Sequence, residues 1–186
     1  MPVSVTNPVM NSVLRAAREA TGASRALLLA VDGEVLTVVA ADGDGTATAV
    51  GVSVDVGQGV AGFVAASGQP VALRPSSTDQ RLDDDVAVAL GWEPQAVLTV
   101  PCLGMDTISG VLELLDPDRD GGFDFDDVES ATVLAGVAGT VLEEALAAQS
   151  VPSPSELHTE LTTLADADPG RYATVATLVQ ALLDRD

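Results

Sequence analysis

The chain has 186 residues, 47% of them hydrophobic, and sets 28 acidic residues against eight arginines and no lysine, for a formal net charge of −20. That is enough apolar material for one packed domain with an appendage, while the charge repels phosphate backbones and anionic bilayers over a Debye length of about 8 Å, so neither nucleic acid nor a membrane is expected as a partner. The single cysteine, Cys102, permits no intrachain disulfide and no cysteine metal cluster, and no signal-peptide pattern or apolar run near the roughly 20 residues of a membrane span is evident, so a cytoplasmic address is expected.

From the N-terminus, Asn7 is placed to cap a helix opening on Pro8. Val9, Met10, Val13, Leu14 and Ala17 recur at helical spacing until Gly22 ends it. Asp32-Gly33 is a hairpin-turn dipeptide between the apolar runs 25–31 and 34–41, and 47–56 follows a Gly-rich turn at 42–45, so three antiparallel strands are predicted. In GQGVAGFVAASGQPV, residues 57–71, two glycines open a short helix over 60–66, Gly68 fits a left-handed cap, and Pro70 admits a strand at 71–73. A polar segment, 74–94, with a short helix around 82–90, leads to two buried strands, 96–103 and 108–115. A proline-free helix over 126–149 would run about 36 Å, with Leu134, Val137, Val141, Ala145 and Leu146 along one face. Its small residues Ala135, Gly136, Ala138 and Gly139 leave room for close helix approach. The prolines of VPSPS make 151–155 a linker between a domain at 1–150 and a helical hairpin at 156–186 that is too small to bury a core of its own.

Taken in order, GQGVAGFVAASGQPV, VLTVPCL at 97–103, GVLELLD at 110–116 and FDFDDVESATVLAGVAGTVLEEAL at 123–146 resemble the GAF family of sensory domains over residues 8–149. The resemblance implies an α+β fold: an antiparallel five- to six-stranded sheet with a small-molecule pocket on one face and long helices on the other. It further implies a non-catalytic regulatory protein, homodimeric through its long helices, that binds a small molecule or a partner protein. The alternative is an interaction scaffold whose vestigial pocket is filled by Phe63, Leu90 and Trp92. Cyclic-nucleotide-binding members carry asparagine and lysine after the last strand, then phenylalanine and an aspartate-glutamate pair. Here Asp116 and Pro117 take the first two places, Phe123 and Asp127 match the later ones, and Val128 replaces the glutamate, which counts against a cyclic nucleotide. Bilin-carrying members attach pigment through a cysteine that 79–94 lacks. Free methionine sulfoxide reductases of this fold need several cysteines, and Cys102 has no resolving partner, so the enzymatic reading is disfavoured.

Because such domains close over ligands with the segment after the fourth strand, Arg74, Asp79, Arg81 and Trp92 are the candidate ligand-binding residues, with Phe63 and Thr99 beside them. They offer scarce positive charge for a carboxylate or phosphate, a hydrogen-bond acceptor and a ring for stacking. No nucleophile elbow, phosphate loop or spaced His-Glu pair offers a catalytic constellation. The lone His158 falls on the hairpin, away from any pocket. Asp116, Asp118, Asp120, Asp124 and Asp127, with Gly121, have the spacing of an EF-hand loop and suggest calcium, although an aspartate ends the loop and a strand precedes it. The plainer expectation is that this turn caps the long helix, where carboxylates favour the helix N-terminus. No cofactor is required.

Overall fold

The computed structural model describes residues 8–74, 91, 93–105, 107–150 and 152–184. Asn7, the expected helix around 82–90, and Asp79, Arg81 and Trp92 lie outside the described residues. The chain divides into two compact units, Met1–Ala145 and Leu146–Asp186.

Helix α1 (Pro8–Thr21) buries the stripe Met10, Val13, Leu14 and Ala17. Strands β1 (Ala23–Asp32) and β2 (Val35–Asp42) pair antiparallel across the Asp32-Gly33 turn. Next come β3 (Ser53–Asp55), helix α2 (Gly59–Ser67), β4 (Val71–Leu73), β5 (Val97–Leu103), β6 (Ile108–Pro117) and helix α3 (Phe125–Ser150). The six strands form one antiparallel sheet in the order β3-β2-β1-β6-β5-β4. The strand expected over 47–56 is shorter. The hydroxyls of Thr46 and Thr48 bond to the carbonyls of Gly43 at 2.8 Å and Gly45 at 3.2 Å, and Thr46–Ala49 wind into a 3₁₀ turn, leaving Ser53–Asp55 to pair with β2.

Alternation along the strands sends side chains into two cores. On one face, Ala26, Leu28, Leu98, Val100, Cys102, Leu112 and Leu114 pack with α1 and with Ala131, Ala135, Ala138 and Leu142 of α3. On the other, Leu27, Leu29, Leu36, Val38, Val97, Val111 and Leu115 pack with Val60, Ala61 and Val64 of α2. The long helices therefore share one face of the sheet, as expected.

Helix α3 meets the β5–β6 hairpin at close range. A Cβ on Gly139 would strike the backbone of Leu103, and one on Gly110 would strike Leu142. The Ser109 hydroxyl sits 3.1 Å from the carbonyls of both Cys102 and Gly139 and shares its proton between them, while Met105 N–H donates to Glu143 at 3.0 Å. This helix also corrects the hydropathy expectation: Phe125–Ala148 is long and apolar enough to cross a membrane by length and composition, with mean hydropathy 1.4. The acidic residues near its ends mask the uncharged stretch 130–142 when the sequence is scanned as a single run. Its inner stripe, Ala131, Ala135, Ala138 and Leu142, belongs to the sheet core.

In the second unit, helices α4 (Pro154–Ala167) and α5 (Pro169–Leu183) form the expected hairpin, but α4 begins inside the expected linker. Pro154 and Pro169 sit in the first turns, where a missing N–H costs nothing. Ser153 and Glu156 cap α4 reciprocally. Hydrogen bonds from the Ser153 side chain and backbone hold Glu156 below the usual carboxylate range. The cap is therefore intact at neutral pH and fades as pH falls through the Glu156 pKa.

Gly139→Ala is expected to lower stability by about 1–3 kcal/mol in urea unfolding because the Leu103 backbone must yield. Gly136→Ala, which meets open space on the same helix, should be neutral or stabilising by up to about 1 kcal/mol. Equal losses at both positions would refute the close-approach account.

Candidate functional site

Strands β1, β5 and β6 are covered on both faces, so a polar side chain within them needs a partner in the sheet or above it. Thr99 is fully buried and Glu113 is 5% exposed. They stand directly opposite each other in the β5–β6 register, and the Thr99 hydroxyl donates to Glu113 Oε2 at 3.0 Å. The rung runs Val71, Thr99, Glu113, Leu27 across β4, β5, β6 and β1. Because Leu98, Val100, Leu112 and Leu114 face the long helices, Thr99 and Glu113 present a hydroxyl and a carboxylate to the α2 face.

Thr99, a candidate from the sequence, is buried in β5 with its hydroxyl on Glu113. Glu113 is not among the residues expected from sequence, yet a carboxylate in the middle of GVLELLD is itself the signal, since a charge in a run apolar on both faces requires a specific partner. Phe63 is 48% exposed and lies away from the buried Val60, Ala61 and Val64 of α2, so it neither lines nor fills the sheet face. The segment GVAGFVAAS carries no charged residue, and its periodicity gives no clue to which side is buried. Arg74 lies at the exposed end of β4, with its Cγ and Cδ over Gly122, and lines a separate cleft. Phe63, Arg74 and Thr99 are therefore not brought together.

The acidic loop closes on an arginine. Asp116, in a left-handed conformation with φ 50°, accepts from the N–H groups of Gln95 at 2.6 Å and Ala96 at 3.1 Å. Asp124 and Asp127 cap α3 reciprocally, the N–H of each donating to the other's carboxylate. Arg119 pairs with Asp127 and lies 3.6 Å from Asp124, and it also donates to the Thr21 carbonyl at 3.0 Å. Among the described residues no group of three or more histidine, cysteine or acidic side chains is placed to hold a metal ion. Asp118 and Asp120 join neither cluster. Cys102 is fully buried, and burial pushes its thiol pKa up, which disfavours the thiolate nucleophile. His158 is exposed on α4.

The GAF domain family model matches residues 7–142. The chain belongs to the GAF family. A probable 3',5'-cyclic phosphodiesterase, pde-5 of Caenorhabditis elegans, is 28% identical over 91 residues, which are 49% of this chain and 12% of that protein's length. The GAF-B domain of DevS from Mycobacterium smegmatis superposes with a TM-score of 0.59 at 22% identity, over 77% of this chain and 96% of its own. A type II free methionine-R-sulfoxide reductase from Thermoplasma acidophilum superposes at 0.57 and 13% identity, over 73% of this chain and 90% of its own. These likenesses show the GAF fold, and GAF domains are regulatory and sensory modules.

Thr99→Val should cost about 1–3 kcal/mol in thermal or urea unfolding, because it withdraws a donor from a buried carboxylate. Thr99→Ser should keep most of that stability. A valine variant as stable as the parent would show that the pair contributes nothing.

Proposed function

We propose that this GAF protein is a non-catalytic regulator that binds a small molecule on the α2 face of its sheet, over Thr99 and Glu113. The observation that carries this reading is the buried Thr99–Glu113 pair: a hydroxyl and a carboxylate set into an otherwise apolar face, the polar-in-apolar arrangement of ligand sites. Asp79, Arg81 and Trp92 are proposed from sequence to complete the site, in a cytoplasmic protein. The full burial of Cys102, which pushes its thiol pKa up, supports the non-catalytic reading.

The same proposal makes the protein a homodimer through α1 and α3. In a chain of net charge −20, the stretch 130–142 of α3 carries no charge. It presents Val133, 71% exposed, and Val137, 47% exposed, an apolar surface suited to packing against a second helix. Ligand binding would then be read by a second polypeptide through this bundle.

A scaffold role is the second reading. Leu27, Leu29, Val97, Val111 and Leu115 already pack under α2, and that part of the face is filled by side chains.

Thermal unfolding of the full chain against nucleotides, cyclic nucleotides, amino acids, metabolites and calcium separates these readings. A shift with one small molecule, abolished by Glu113→Gln, is the expected result. A shift with calcium alone would turn attention to the loop at 116–127, and no shift with any compound would favour the scaffold. Val137→Glu should convert dimer to monomer in sedimentation equilibrium without loss of helical signal. A parent chain that sediments as a monomer would refute the dimer.

A further inference from the structure

At the corner where β4, β5 and β6 end, a cleft of about 320 Å³ is lined by Arg74, Gln95, Ala96, Asp116, Pro117, Arg119 and the turn 120–122. Two of its four charges are committed within the protein. Arg119 is held by Asp127, Asp124 and the Thr21 carbonyl. Asp116 takes the N–H groups of Gln95 and Ala96, with Arg25 at 3.8 Å. Arg74 and Asp120 have no ion pair or hydrogen bond among the described residues. They are opposite charges lining one cleft, yet they do not pair with each other.

The backbone supplies a second, independent observation. Gly122 is buried, and neither its N–H nor its C=O has a hydrogen-bond partner among the described residues. Lining the cleft, these groups keep hydrogen-bonding capacity for a molecule that enters it. Gly122 has φ 81°, and a Cβ on it would press on Cγ and Cδ of Arg74 at 3.2 and 3.3 Å. The missing side chain thus lets the arginine stem lie against the turn, which restricts where its guanidinium can reach.

We infer that this cleft binds a small zwitterion of the α-amino-acid class, its carboxylate on the Arg74 guanidinium and the Gly122 N–H, its ammonium on the Asp120 carboxylate. A ligand carrying both charges leaves the cleft neutral, whereas an anion or a cation alone would leave Asp120 or Arg74 uncompensated beside it. The inference does not rest on the sheet-face site, since Thr99 and Glu113 are not among the residues lining this cleft.

The test is an amide NMR titration of the full chain with L-alanine, and with propionate and ethylammonium, which lack its ammonium and its carboxylate respectively. Saturable shifts centred on Gly121 and Gly122 are expected with L-alanine, with binding about tenfold or more weaker for either half-ligand. Arg74→Gln and Asp120→Asn should each weaken L-alanine to a similar degree. Neither substitution removes a hydrogen bond or ion pair within the described residues, so both variants should keep the parent's unfolding midpoint. Propionate binding as tightly as L-alanine would reduce the cleft to a simple anion site and overturn the assignment. The absence of shifts with all three probes, or unchanged binding in both variants, would overturn it as well. Glu113→Gln should leave this titration unchanged, so the two sites stand or fall separately.

Discussion

Burial of β1, β5 and β6 on both faces is the constraint on which the rest of this structure depends. A strand with no wet side cannot alternate apolar and polar residues, so the middles of these three are mostly apolar on both faces: ALLLAV in β1, VLTVPCL in β5 and VLELL in β6. Every polar atom within them must then be satisfied by a neighbour. Three side chains meet that demand differently. Thr99 donates to Glu113 across adjacent strands. Ser109, on the helix-facing side, instead shares its proton with a strand carbonyl and with the Gly139 carbonyl of α3. The same constraint explains the glycines: Gly110 makes room for Leu142, and Gly139 for the Leu103 backbone, so that helix and sheet reach contact distance without a cavity.

At the far end of β6 the problem is charge rather than apolar fit. Several carboxylates crowd a short turn in a chain of net charge −20, and they are accommodated by distributing their partners. Asp116 adopts the left-handed conformation that aspartate and asparagine tolerate better than most residues and accepts two backbone N–H groups at the start of β5. Asp124 and Asp127 satisfy each other's N–H at the start of α3, where negative charge is favoured by the helix dipole. Arg119 then joins this cap to the end of α1 through the Thr21 carbonyl. One guanidinium thereby links the two long helices on the same face of the sheet. Asp120, outside these pairings, shares a cleft with Arg74.

The elements were legible wherever glycine, proline or a long apolar period left a local signature: the Asp32-Gly33 hairpin, the glycines around α2, and the uninterrupted period of α3. Hidden from the sequence were a hydroxyl's choice of acceptor, the direction in which a proline acts, and the features that depend on a distant partner. Nothing near Thr46 announces that its hydroxyl will reach the Gly43 carbonyl and wind a strand start into a 3₁₀ turn. The prolines at 154 and 169 look like breaks, because a proline that stops a helix and one that starts it are told apart only by the residues C-terminal to them. At the site, Thr99 was readable as a polar residue on a strand, but its partner sits 14 residues away, and only the β5–β6 register makes the two a pair. Phe63 misled because a helix with no charged side gives no orientation.

The two polar pairings of the β5–β6 hairpin bear on how this fold can transmit a signal. Thr99 and Glu113 face the α2 side, while Ser109 and Cys102, farther along the same two strands, face α3. Three residues of strand separate the Thr99–Glu113 rung from the Cys102–Gly110 rung, a distance of about 10 Å. A ligand at the proposed site over Glu113 would act on the strand that also carries Ser109, whose hydroxyl oxygen lies 3.1 Å from two carbonyl acceptors. The close approach of Gly139 to the Leu103 backbone leaves little slack between α3 and this hairpin. A ligand that favours one packing of this contact over another would shift the helix packing by its difference in affinity for the two and by no more than that.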